Sequence, residues 1–157
     1  MAHLEVDWLK RWSRYAPSSI ALMCGETLKE VSYGMLYKLS TELANHLAQT
    51  FDIKKGDRFA VLSTNEWEFV PLFFAAQRLG AILVPVNFRL TSREIDHILS
   101  DSGAKLLIYQ NSYQETIMAC SSEAKPKQQW LFDTADGLIG FLKHVFDKFS
   151  SDSSVHN

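Results

Sequence analysis

The chain has 157 residues, room for one compact domain. Hydrophobic residues make up 46% and aromatic residues 12%, which excludes an intrinsically disordered composition. A formal net charge of -2 gives no electrostatic footing for nucleic acid, which needs a concentrated basic face. Two cysteines, Cys24 and Cys120, are too few and too far apart for a disulfide framework or a zinc site. Free thiols suit a reducing compartment, so a cytoplasmic location is expected. The histidines form no i, i+4 pair and lie near no cysteine, so no metal site is expected. Charged side chains interrupt the opening MAHLEVDWLKRW, and no run reaches the roughly 18 apolar residues of a membrane span.

Residues 4–15 place Leu4, Trp8, Trp12 and Tyr15 at helical spacing, with Lys10, Arg11 and Arg14 on the other side. A docked stripe is the expected fate of those aromatics, ahead of an aromatic binding surface. Pro17 stops the helix. Two short apolar runs around Cys24-Gly25-Glu26 read as a hairpin. Ser32 is a candidate N-cap for a helix through Gln49, with Leu36, Leu39, Leu43 and Leu47 in one stripe.

The period then changes. IKKGD is a turn and RFAVLS a buried strand. NEWEFVPLFFAAQRLG reads as a buried helix capped at Asn65 and closed by Gly80, unless Pro71 forces a later start. AILVPV is a second strand, and Pro85, lacking a donor, is expected at its end or at a bulge. Thr91 and Glu94 form a T-x-x-E capping box for a helix closed by Gly103. KLLIYQ is a third strand, Asn111 or Ser112 opens another helix, and QQWLFD is a fourth strand. An amphipathic helix over about Leu138 to Phe149 presents Leu138, Phe141, Leu142, Val145, Phe146 and Phe149 on one face. The alternation predicts an α/β fold: a mostly parallel sheet flanked by helices, preceded by a helix and a β-hairpin. One domain over 1–149 and a disordered polar tail over 150–157 are expected.

Val31-Ser32-Tyr33-Gly34-Met35-Leu36 resembles the first core motif of the AMP-forming adenylating enzymes. The K-G-D turn, the Asn after the next strand, A-x-x-x-L-G-A-x-x-V-P-V-N, R-L-T-x-x-E and D-S-G-A-K follow in that superfamily's order, over roughly residues 4 to 149. Met35 departs from its usual acidic residue, and Asp52 from a glycine that often ends the preceding helix. The V-P-V-N-x-R-L form is similar to fatty-acid and aryl-acid CoA ligases more than to peptide-synthetase domains. The resemblance implies the N-terminal subdomain of an acid–CoA ligase that works through an acyl-adenylate.

ATP, Mg and CoA are the cofactors this resemblance implies for a complete enzyme. The Ser/Thr/Gly loop ending in Pro-Lys-Gly, the aromatic-Gly-x-Thr-Glu motif, the ribose Asp and the C-terminal Lys of the superfamily have no counterpart in the sequence. Gly137-Leu-Ile-Gly140 lacks the Lys and Ser/Thr of a phosphate cradle. No catalytic residue is therefore assigned, and the chain is expected to be inactive alone. One binding candidate remains: the resemblance implies that Arg89 contacts a CoA phosphate, against the alternative of a surface arginine paired with Glu94 or capping a turn. Asp57 beside Arg58, and Asp96 with Asp101, read as solvated turns rather than acid–base pairs. The partners expected are the remainder of a ligase or a second copy, through an exposed apolar helix 138–149 and the open sheet edge.

Overall fold

The computed structural model describes residues 7–25 and 29–152. Leu4, Glu26 and the end of the expected tail, 153–157, lie outside them. The elements are α1 (Trp8–Tyr15), β1 (Ile20–Met23), β2 (Glu30–Ser32), α2 (Tyr33–Phe51), β3 (Arg58–Leu62), α3 (Phe69–Leu79), β4 (Ile82–Val86), α4 (Ser92–Ser102), β5 (Leu106–Tyr109), α5 (Gln114–Met118), β6 (Gln128–Leu131) and α6 (Leu138–Asp152). β1 and β2 form an antiparallel hairpin. The other strands form one parallel sheet in the order β4-β3-β5-β6. This is the α/β architecture the sequence predicts.

Alternation along the strands divides the core in two. Phe59, Val61, Leu106, Ile108 and Trp130 face one side, where Leu36, Leu39, Leu43 and Leu47 of α2, Leu72 of α3 and Leu138 and Leu142 of α6 cover them. Ala60, Leu62, Val86, Leu107 and Tyr109 face the other, covered by Ile95 and Leu99 of α4 and Ile117 of α5. Helices lie on both faces because the chain moves from β3 to β4 in one direction and returns past β3 to β5 in the other.

The caps follow local chemistry. The Ser32 hydroxyl accepts from the Met35 N–H, and Asp52 closes α2 in the left-handed conformation, at φ 52°. Thr91 and Glu94 complete the expected capping box, and Gly103 ends α4 at φ 58°.

Several expectations are corrected. Asn65 caps nothing: α3 begins at Phe69, which places Pro71 in the first turn, where no backbone donor is missed. The helix is also not buried all round, since Phe73 is 53% exposed on the side away from the sheet. Pro85 lies inside β4 with its register unbroken. β4 is an edge strand, and Ile82 donates its N–H to Asp57 on the β3 side. By the twofold alternation of strand donors, the Pro85 nitrogen points to the open edge, where no ladder bond is lost.

On α1 the residue that docks is Leu9, 2% exposed, while Trp8, Trp12 and Tyr15 are 57%, 47% and 75% exposed. Leu9 lies about 100° around the helix from Trp8, so one short helix cannot bury both. The apolar helix expected to be exposed is instead docked. Leu138, Leu142 and Val145 are buried, and Phe141, Phe146 and Phe149 are partly buried against the same core. α6 also runs to Asp152, three residues into the expected tail. Ser150 and Ser151 lie within it and donate their hydroxyls back to the Phe146 and Lys148 carbonyls, at 2.8 Å each.

Candidate functional site

Parallel strands all deliver their C-terminal ends to one side of the sheet, and the loops there form the natural ligand edge. Beyond β3 and β4 lies a depression of about 580 Å³ lined by Ser63, Thr64, Asn65, Phe69, Pro85, Asn87, Phe88 and Arg89, among others. Thr64, Asn65 and Phe69 also line a second depression of about 680 Å³ that reaches Leu22, Met23 and Cys24 of the hairpin. A continuous groove therefore crosses the C-terminal edge of β3, toward β4 on one side and the hairpin on the other.

Its floor is braced at the point where the strand order reverses. The side-chain oxygen of Gln110, one residue past β5, accepts from the Thr64 N–H at 2.8 Å. The Gln110 N–H donates in turn to the Leu62 carbonyl at 3.1 Å. Gln110 is nearly buried, so these bonds are made away from solvent and fix the loop after β3 relative to β5. The pattern of the sequence does not single this residue out. The one signal was a polar side chain closing an apolar run, LLIYQ.

Arg89 stands on the groove rim. Asn87 turns the chain after β4 by accepting the Arg89 N–H on its side chain, at 3.0 Å. The guanidinium lies over the Phe88 ring, 5.5 Å from its centroid. Glu94 is occupied: its carboxylate accepts both the N–H and the hydroxyl of Thr91 at 2.8 Å, which holds its pKa below the usual value. Among the described residues Arg89 makes no ion pair, so the guanidinium fork stays available to an incoming anion.

The groove offers a cation and small polar groups for one phosphate. Among the described residues its lining contains no lysine and no glycine-rich loop of the kind that cradles three phosphates. Among the described residues no cluster of carboxylate, imidazole or thiol groups is arranged to hold a metal ion. Gly137 and Gly140 serve packing. A Cβ on Gly137 would strike the Leu131 carbonyl, and one on Gly140 the Ala135 carbonyl, where the β6–α6 loop folds tightly onto the helix.

The remaining titratable candidates lie elsewhere. Asp57 sits at the opposite, N-terminal end of the sheet, accepting from Lys105 Nζ and the Lys54 N–H at 2.8 Å each. Those bonds hold its pKa low. Asp96 accepts the Ser121 N–H at 3.0 Å, tying α4 to the loop after α5. Both are structural. Burial, with Asp96 nearby, pushes the Cys120 thiol up to about 11, so it is no nucleophile. Glu68, just before α3, is 6% exposed and its Oε2 has no hydrogen-bond partner. Burial raises its pKa.

Comparison with known proteins agrees with this architecture. A family model described as AMP-binding enzyme matches residues 9–144. The long-chain-fatty-acid–CoA ligase FadD13 of Mycobacterium tuberculosis is 43% identical over 123 residues, covering 78% of this chain and 24% of that protein. Feruloyl-CoA synthase of an Amycolatopsis species is 36% identical over 116 residues, covering 74% of this chain and 23% of the relative. A crystal structure of the N-terminal domain of FACL13 from Mycobacterium tuberculosis superimposes with a TM-score of 0.76 at 34% identity, over 86% of this chain and 34% of that one. The chain thus spans about a quarter of the length of these full-length relatives. With a match across most of its residues and an N-terminal-domain fold to go with it, the chain belongs to the AMP-binding enzyme family.

Proposed function

We propose that the chain serves as the N-terminal part of an ATP-dependent acid–CoA ligase that activates a fatty or aryl acid through its acyl-adenylate. The observation carrying this reading is the placement of Arg89: an unpaired guanidinium on the C-terminal rim of a parallel sheet, in a chain whose relatives are CoA ligases. Arg89 would pair bidentately with a phosphate of CoA, while Asn87 and Phe88 fix its loop. ATP and Mg belong to polypeptide beyond this chain in the proposal, because the groove lacks the groups to hold three phosphates. Alone, the chain binds none of these tightly and performs no adenylation. The proposed compartment is the cytoplasm.

A graft tests both parts. ATP–pyrophosphate exchange with fatty or aryl acids is expected to be absent for the chain alone. Exchange is expected to appear when the chain replaces the corresponding first quarter of the FadD13 ligase. Arg89→Ala in that graft should raise the KM for CoA about ten-fold, the effect of one charge-assisted pair, and leave exchange unchanged. Exchange by the isolated chain, or an unchanged KM for CoA, would contradict the proposal.

A further inference from the structure

Asn65 is exposed, caps no helix and lines both depressions of the groove. Among the described residues its carboxamide makes no hydrogen bond. An exposed Asn is ordinarily a solvated loop residue, and its neighbours set this one apart. Thr64 donates its N–H to Gln110 Oε1 at 2.8 Å. Its hydroxyl has a single proton, which goes to the Glu66 carboxylate at 2.8 Å, so the same oxygen can accept from Gln110 Nε2 at 3.1 Å. Glu66 returns its N–H to the Thr64 carbonyl at 2.8 Å, which makes Asn65 the central residue of a γ-turn. Gln110 is itself fixed: its N–H donates to the Leu62 carbonyl at 3.1 Å, and its carbonyl accepts the Tyr113 N–H at 2.9 Å. A line of bonds thus runs from the middle of the sheet to the turn, and the turn presents one unbonded carboxamide to the groove.

We propose that Asn65 is a ligand contact of the groove, pairing with an amide in the arm of the thiol substrate whose phosphate Arg89 holds, and that Gln110 positions it. The ligand's identity rests on the ligase reading above. A carboxamide carries a donor and an acceptor side by side, the complement of an amide's C=O and N–H. The phosphates and the thiol of CoA are joined by an arm that carries amides. The groove runs from the cationic rim at Arg89 past Asn65 to Leu22, Met23 and Trp67. A molecule anchored by its phosphate at Arg89 and laid along that groove passes Asn65. A second anion suits the position poorly, because the Glu66 carboxylate adjoins the turn and would repel it.

The test titrates the isotope-labelled chain with pantetheine, which keeps the amides and the thiol but has no phosphate. Millimolar pantetheine is expected to shift the side-chain NH2 resonances of Asn65. The shift should be about five-fold smaller in Gln110→Met, which fills similar space without a donor or a strong acceptor. In the FadD13 graft, Asn65→Ala should raise KM about five-fold for CoA and equally for pantetheine while kcat is kept, the effect of one neutral hydrogen bond. Arg89→Ala should raise KM for CoA alone. Thr64→Val should follow Gln110→Met, and Thr64→Ser, which keeps the hydroxyl, should follow the wild type. A purely structural brace would lower Tm and leave KM alone. Asn65 resonances unmoved by pantetheine, or an Asn65→Ala penalty seen with CoA and lost with pantetheine, would overturn the proposal. A graft without pyrophosphate exchange would instead sink the ligase reading, and the titration of the chain itself would still decide the contact.

Discussion

Single side chains in this molecule mostly behave as their chemistry dictates, and Glu68 is the exception. A carboxylate that is 6% exposed with one oxygen unpartnered opposes folding when charged. Because its folded pKa is raised above the ordinary 4.5, the native state holds the proton more tightly than the unfolded chain. The contribution of Glu68 to stability should therefore be greatest below 4.5 and decline as pH rises through the folded value. Glu68→Gln is expected to stabilise the protein at neutral pH by about 1 kcal/mol, roughly 3 °C in Tm, with the gain disappearing in acid. Thermal melts of both proteins across the acid range read this directly. A variant less stable at neutral pH would mean the charged form has a partner. The sequence could not reveal this residue: E-W-E-F reads as a polar helix start, and only the late start of α3 at Phe69 shows how the loop carries Glu68 inward.

Elements were more legible than side chains because their signals are local. Ser32, Gly80, the Thr91–Glu94 box and Gly103 set boundaries that can be read within three or four residues. Thr91→Ala should cost about 1 kcal/mol in urea unfolding at neutral pH, since it removes the acceptor for the Glu94 N–H and frees the carboxylate that closes the box. An unchanged midpoint would show that tertiary packing alone holds the start of α4. The misreadings came from long-range competition. Periodicity showed that α1 and α6 each have an apolar stripe, but burial depends on what the sheet and α2 leave uncovered. α2 offers α6 a long groove beside Trp130 and Phe132, and so that stripe docks. α1 has room only for Leu9, and its aromatics stay outside. The groove was half legible: Asn87-Phe88-Arg89 announced one rim, while the Thr64–Gln110 brace joins residues 46 positions apart and left only the polar end of LLIYQ as a local trace.

Across the whole molecule, the two core layers are unequal in their dependence on the last helix. α6 contributes Leu138, Leu142 and Val145 to the larger layer, over α2 and Trp130, and nothing to the layer under α4 and α5. Deleting residues 138–152 would uncover the large layer and leave its apolar surface to water. Such a chain is expected to bind hydrophobic dye and to lose cooperative thermal unfolding, and the intact chain to do neither. A deletion variant with the intact melting profile would show that the core closes without α6.

The outward-pointing nitrogen of Pro85 has a further effect on how the sheet can grow. A strand laid alongside β4 by a stray chain would find a gap in the row of hydrogen-bond donors at Pro85, on the wall of the groove itself. Zipping from that side is thereby handicapped at its last step, and the ligand edge stays clear of misplaced β-structure.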